Sequence, residues 1–304
     1  MMGNKTEKFS LSLAFMVLVT IVLWATEYTL VGYVVKTISP AWIVAIRTLI
    51  AACILTFYVY FSGHKLPPFK DKAWLWYGSM GIIGMTIPFY LIARGEIHID
   101  SGIAAILVGV TPLFIILLAH FLIPSERLTL LKTLGFLVGF TGTCLLFLPK
   151  SLSVSLVEHW QAQLLLLLAA LGYATTTILG KRAPEIPASI GATIMLIGAA
   201  ISASICALTT GLPHFLTNGT PPLNPILALL VLSVGATALG NLLYLRLIQI
   251  SGPSLIAKIN YMVPIFSILS GIVFLKEGLN SRTILALFII LAGLIIVRYG
   301  ENKT

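Results

Sequence analysis

The chain has 304 residues, 58% of them hydrophobic and 10% charged, with a net charge of +9 and a mean hydropathy of +1.03. A water-soluble domain of this size has no means of hiding so much apolar surface, so lipid is the solvent for most of the chain. The positive charge forms no contiguous patch and alternates from loop to loop, which excludes a nucleic-acid surface and makes it a topology signal instead.

Ten apolar runs lie near 11–35, 40–61, 73–93, 100–122, 130–148, 161–180, 187–209, 225–248, 253–275 and 281–298. Each approaches the ~20 residues that a helix rising ~1.5 Å per residue needs to cross ~30 Å of hydrocarbon. The first follows Asn4 and Lys5 like a signal peptide, but no small-residue cleavage site comes after it, and it reads as a retained helix. It contains a lone carboxylate, Glu27, on a stripe with Thr20, Trp24, Tyr28 and Val31, because residues three or four apart share a helix face. Arg47 lies in the second run. Counted from the outer helix ends, the two charges sit at depths within a couple of ångströms of each other, so antiparallel neighbours bring them together. Such a pair either ties two helices or switches, with Glu27 releasing Arg47 or taking up a proton.

After the third run His98, beside Arg94, Glu96 and Asp100, reads as solvated. In the fourth, Pro112 removes a backbone donor and frees the carbonyl of Val108, a hinge or a simple bend. His120 stands alone on an apolar face. Glu126, beyond that helix, and Glu277, beyond the ninth, read as caps that position the helices following them. In the sixth run, Ala169, Gly172, Thr176 and Gly180 form a small-residue face suited to packing within one chain or between chains, which leaves monomer and homodimer open. Asn241 and Tyr244 in the eighth run should lie at the same inner depth as Thr176 and as Lys258 in the ninth. Lys258, with Tyr261 on its face, either snorkels to the headgroups or makes a cationic, hydroxyl-lined pocket for an anionic group on a solute. Pro264 frees the carbonyl of Asn260 as Pro112 frees that of Val108. Cys53, Cys144 and Cys206 are dispersed among apolar residues without metal, redox or disulfide spacing, and nothing in the chain implies a cofactor.

A repeat runs through the chain. Residues 24–30, WATEYTL, overlie 173–179, YATTTIL, which places Tyr173 on Trp24. Residues 108–118 overlie 260–270 with a shared proline, and Glu126 and Glu277 are each followed after sixteen residues by a glycine, Gly142 or Gly293. The chain is therefore expected to be two five-helix units, 1–149 and 150–304. Five is odd, so the units have inverted topology, an architecture of secondary transporters in which two halves rock about a site between them. Of the 19 lysines and arginines, Arg47 and Lys258 lie within spans, only Lys36, Arg94, Lys150, Lys276 and Arg282 fall on one side, and the rest fall on the other; the positive-inside rule then puts both termini in the cytoplasm.

The pattern resembles the drug/metabolite transporter superfamily, and within it the EamA-type ten-helix members. The resemblance spans about 11–298 and is carried by the Trp24-Ala25-Thr26 stretch, Ser39-Pro40 with Ala45-Ile46-Arg47, Pro112 with Ser125-Glu126-Arg127-Leu128-Thr129, and Tyr261-Met262-Val263-Pro264 with Lys276-Glu277. Glu27 stands where such proteins more often carry a small or polar residue. The resemblance implies an all-α integral membrane protein whose ten helices surround a central cavity, and a carrier of small metabolites, often amino acids, commonly outward across the cytoplasmic membrane. Alternatives are efflux of drugs or organic ions, a channel, or a membrane enzyme, although the chain has no H-E-x-x-H, G-x-S-x-G, phosphate-binding glycine loop or paired intramembrane aspartates.

Overall fold

A computed structural model describes residues 11–123, 128–147, 159–211, 222–251, 253–278 and 280–301; within them, the side chains at 147, 245, 248, 249, 251, 253, 254, 256–258, 261 and 301 are outside the description. Every regular element among the described residues is helical. In chain order these are α1 (Leu11–Val34), α2 (Pro40–Phe61), α3 (Lys72–Gly95), α4 (Ser101–Leu122), α5 (Leu130–Phe147), α6 (Trp160–Gly180), α7 (Ala188–Thr209), α8 (223–251), α9 (253–275) and α10 (Ser281–Glu301). Eight are long and apolar enough to cross a membrane, while 130–148 and 253–275 hold the shorter apolar helices Leu130–Leu146 and Met262–Leu275.

The outward faces are hydrophobic. Phe57 is 67% and Phe61 78% exposed on α2, and Ile201, Ile205 and Leu208 line the outside of α7. Apolar surface on this scale has lipid as its natural neighbour. Inside, small residues let helices approach closely. A Cβ on Gly293 of α10 would lie 2.4 Å from the backbone nitrogen of Gly139 on α5, and one on Gly198 of α7 would lie 2.7 Å from the Gly78 carbonyl of α3. The small-residue face of α6 is filled within the chain: Ala169 is fully buried, and Gly172 and Thr176 abut Ile83 and Gly84 of α3.

Three π-helical turns interrupt the rods, at Ile82–Thr86 in α3, Leu232–Leu239 in α8 and Gly271–Leu275 at the end of α9. The two prolines behave differently. Ahead of Pro112, α4 breaks at Gly109 and Val110, and the carbonyl freed at Val108 accepts a hydrogen bond from Thr111 Oγ1 at 2.6 Å. Pro264 instead sits inside an unbroken stretch, Pro253–Ser270. The break and the second proline meet: a Cβ on Gly109 would lie 3.0 Å from Pro264 Cγ.

Candidate functional site

Glu27 and Arg47 meet as their depths require. Arg47 Nη2 lies 2.7 Å from Glu27 Oε1, with the arginine side chain 2% and the glutamate 14% exposed. Arg47 Nε donates to Thr237 Oγ1 at 3.0 Å, and the guanidinium carbon sits 3.8 Å above the ring centroid of Phe89. One side chain thus binds α1, α3 and α8 to α2. The π turn of α8 makes the Thr237 contact: Thr237 Oγ1 donates to the Leu232 carbonyl five residues back, which orients its lone pairs toward Arg47. A guanidinium suits this role because it offers several donors in a plane and a flat face for an aromatic ring.

Around the pair lie the aromatic residues singled out in the sequence. Trp24 packs on Tyr244 with ring centroids 5.6 Å apart, and its indole nitrogen lies over Gly240, where a Cβ would come within 3.0 Å. Tyr28 is buried within electrostatic reach of Tyr173, Glu27, Glu96 and Arg47, and Tyr173 in turn reaches Glu27 and Arg47. Asn241 donates to the Thr237 carbonyl at 2.6 Å. Trp24, Glu27, Tyr28, Arg47, Tyr173, Asn241 and Tyr244 therefore form one neighbourhood where α1, α2, α6 and α8 converge. Thr176 does not face it: its hydroxyl donates to the Gly172 carbonyl at 3.0 Å and its side chain packs on Gly84. The Lys258 and Tyr261 side chains, and Glu126, lie outside the described residues.

At this end of the bundle His98 is exposed as expected, with Arg94 and Asp100, whereas their neighbour Glu96 is 6% exposed and neither of its carboxyl oxygens has a hydrogen-bond partner. The reason is the turn after α3, whose tight course from Gly95 to Ser101 points Glu96 inward against Gly32 of α1, where a Cβ would lie 3.4 Å from Oε2. Burial pushes this carboxyl well above the usual carboxylate range, reinforced by Glu277 and Glu27 and opposed by Arg47. Glu277 does not cap the helix that follows it. Its oxygens accept from the backbone nitrogens of Ser101 at 2.8 Å and Gly102 at 3.2 Å, the first donors of α4, while Asn280 Oδ1 accepts from Arg282 N at the start of α10. Lys276 in the left-handed region, φ 58°, turns the chain so that Glu277 reaches across.

Thr237, Phe89 and Glu96 were not singled out in the sequence. Thr237 is one of many threonines in apolar runs, and Phe89 one of many aromatics. Glu96 carried no usable signal, since the apolar run ends near residue 93 and the charged Arg94 stands before it.

A lipid-faced helical bundle with a charged pair locked among aromatic and hydroxyl groups in its interior is an integral, multi-pass membrane protein of the transporter class. The model of the EamA-like transporter family matches residues 11–148 and again 160–299, and the chain belongs to that family, whose members are transporters rather than enzymes. It is similar to an uncharacterized transporter of Archaeoglobus fulgidus, 24% identical over 280 residues covering 91% of this chain and 95% of that protein. The uncharacterized inner membrane transporter YedA of Escherichia coli is 25% identical over 92% of this chain and 88% of its own length. Protein PecM of Dickeya dadantii is 23% identical over 90% and 88%. A protein of known crystal structure shares the fold with a TM-score of 0.65 at 19% identity, over 95% of this chain and 98% of that one.

Proposed function

We propose that the protein is a secondary carrier that moves a small zwitterionic metabolite, an amino acid or a close relative, outward across the cytoplasmic membrane by alternating access. In this reading ten helices form two inverted repeats, 1–149 and 150–304, with both termini in the cytoplasm and the site between the halves. The observation that carries the proposal is the Glu27–Arg47 pair, enclosed by Trp24, Tyr28, Tyr173 and Tyr244. A zwitterion brings one carboxylate and one ammonium. Inserted between Glu27 and Arg47, it pairs each charge and leaves none uncompensated, whereas a simple organic cation would strand the guanidinium at a cost of ~3 to 5 kcal/mol. Exchange of the internal pair for an internal–external one opens the tie between α1 and α2 without creating net buried charge. Lys258 and Tyr261, toward the inner end of α9, would meet the solute's carboxylate on its path, and the α4 break before Pro112, packed on Pro264, supplies the bending point.

The test is thermal stabilisation of purified protein by a panel of amino acids, organic anions and organic cations. A ligand at a hundredfold its Kd adds about 2.7 kcal/mol to the folded state. Stabilisation by an amino acid, followed by saturable counterflow of it in proteoliposomes, is the expected result. Stabilisation by cations alone, or flux that never saturates, would remove the zwitterion carrier in favour of an efflux carrier for organic cations or a channel.

A further inference from the structure

The carrier reading makes no use of Glu96, the best-buried acid among the described residues. Both oxygens of Glu96 and the Ser101 hydroxyl are buried and have no hydrogen-bond partner. They share one pocket: the position of a Cβ on Gly32 is 3.4 Å from Glu96 Oε2, 3.8 Å from Ser101 Cβ and 3.5 Å from Leu275 Cδ1. The backbone donors that would stabilise an anion there are already taken, since the Ser101 and Gly102 nitrogens bond Glu277.

The charged and titratable groups that face Glu96 are Glu27 and Tyr28 from α1, Arg47 from α2, and Glu277 from the turn after α9. Lys36, Arg94, His98, Asp100 and Lys276 around that end of the bundle are solvent-exposed. Arg47 is engaged with Glu27. An ionised Glu96 would thus be a third carboxylate sharing one distant guanidinium, in a site that offers it no donor. A protonated Glu96 carries no charge to compensate and is itself a donor, and the unpartnered Ser101 hydroxyl belongs to the lining of the same pocket.

We propose that Glu96 is a proton-binding site of the carrier, occupied while α1 is closed onto α4 and the Glu277 turn, and emptied into water when that end opens. The inference rests on the transporter reading, and it places the coupling group five residues along α1 from the Glu27–Arg47 pair, about one and a half turns away. Movement of α1 away from Ser101 and Leu275 would hydrate Glu96 and break the pair together. The proton goes to and from bulk water, with no other reactant.

Two measurements on the full-length protein in lipid nanodiscs, neither needing a transported solute, test the site. Dicyclohexylcarbodiimide, which reacts with protonated carboxyls in apolar surroundings, should modify Glu96 at neutral pH, as read by peptide mass spectrometry, and the yield should fall as pH rises. Thermal stability gives the second. Because the folded-state pKa lies above the unfolded one, stability is full below the ordinary carboxylate range and is lost as pH rises toward the raised folded value. Glu96→Gln, which mimics the protonated acid, should flatten that decline; Ser101→Ala should keep the labelling. An unlabelled Glu96, an unchanged decline in Glu96→Gln, or stabilisation by sodium in place of acid would overturn the proton site even if transport is established. The link to opening is read from a cysteine facing the site. Labelling of Gly32→Cys by an impermeant maleimide should rise more steeply with pH when Glu96 is present than in the Glu96→Gln background, and equal rises in both would overturn the coupling.

Discussion

Arg47 shows how one buried charge can organise four helices. Its ionic partner, its hydroxyl acceptor and its aromatic face come from α1, α8 and α3, so removing any one changes what the other two hold. Glu27→Gln should lower stability by ~3 to 5 kcal/mol, because the guanidinium is left buried without a counter-charge. Arg47→Gln should cost a similar amount, and the double substitution less than the sum of the two, since it strands no charge. Thr237→Val, which deletes the acceptor of Nε together with the donor to the Leu232 carbonyl, should cost ~1 to 3 kcal/mol. Chemical unfolding in detergent would measure all four; additive losses for the two singles would mean that the pair is not coupled. Transport separates structure from function at the same residues: a double variant with restored stability and full activity would leave the pair as a tie only. At the far end of the path, Lys258→Ala should abolish transport with little change in expression. Unaltered kinetics would mark Lys258 as a lysine that reaches the headgroups.

At the scale of the elements, the helices are held by backbone approach as much as by side chains. A methyl group on Gly293 would fall 2.4 Å from Gly139 N and 2.6 Å from the Gly135 carbonyl, positions fixed by backbone that cannot rotate away. Gly293→Ala should therefore force α5 and α10 apart and cost at least the ~1 to 3 kcal/mol of overpacking. By contrast, a methyl group on Gly278 meets nothing within 4 Å, and Gly278→Ala should leave the melting temperature almost unchanged. Equal effects in a thermal melt would show that the α5–α10 interface is looser than its geometry. The α4 break is similarly specific. Thr111→Val leaves the Val108 carbonyl, already deprived of a donor by Pro112, without the hydroxyl that satisfies it, and should cost ~1 to 3 kcal/mol.

For the whole molecule, the prediction concerns sidedness. Impermeant thiol labelling of single cysteines at Lys70 and Arg182 should place both in the cytoplasm and cysteines at Lys36 and Lys276 outside. Lys70 and Arg182 on opposite faces would overturn the inverted arrangement of halves proposed above.

Much of this plan was readable before any coordinates. The runs expected at 11–35 and 40–61 are the helices Leu11–Val34 and Pro40–Phe61, because length and hydropathy alone decide what lipid accepts. The Glu27–Arg47 contact followed from depth, since a rigid rod of known rise converts residue number into position along the membrane normal. What sequence left open was position around each rod and across the bundle. Glu96 did not stand out among its charged neighbours, and Glu277 looked like a cap for its own successor. Only the packing of α1, α4 and α9 turns the one inward and sends the other to α4, for burial and hydrogen-bond donors are supplied by helices distant in the chain. Composition therefore determined the solvent, and helix periodicity and rise the heights of the charged groups. Tertiary contact decided which of them are paired and which, like Glu96, are enclosed without a partner, because the energy of a buried charge depends on its neighbours in space.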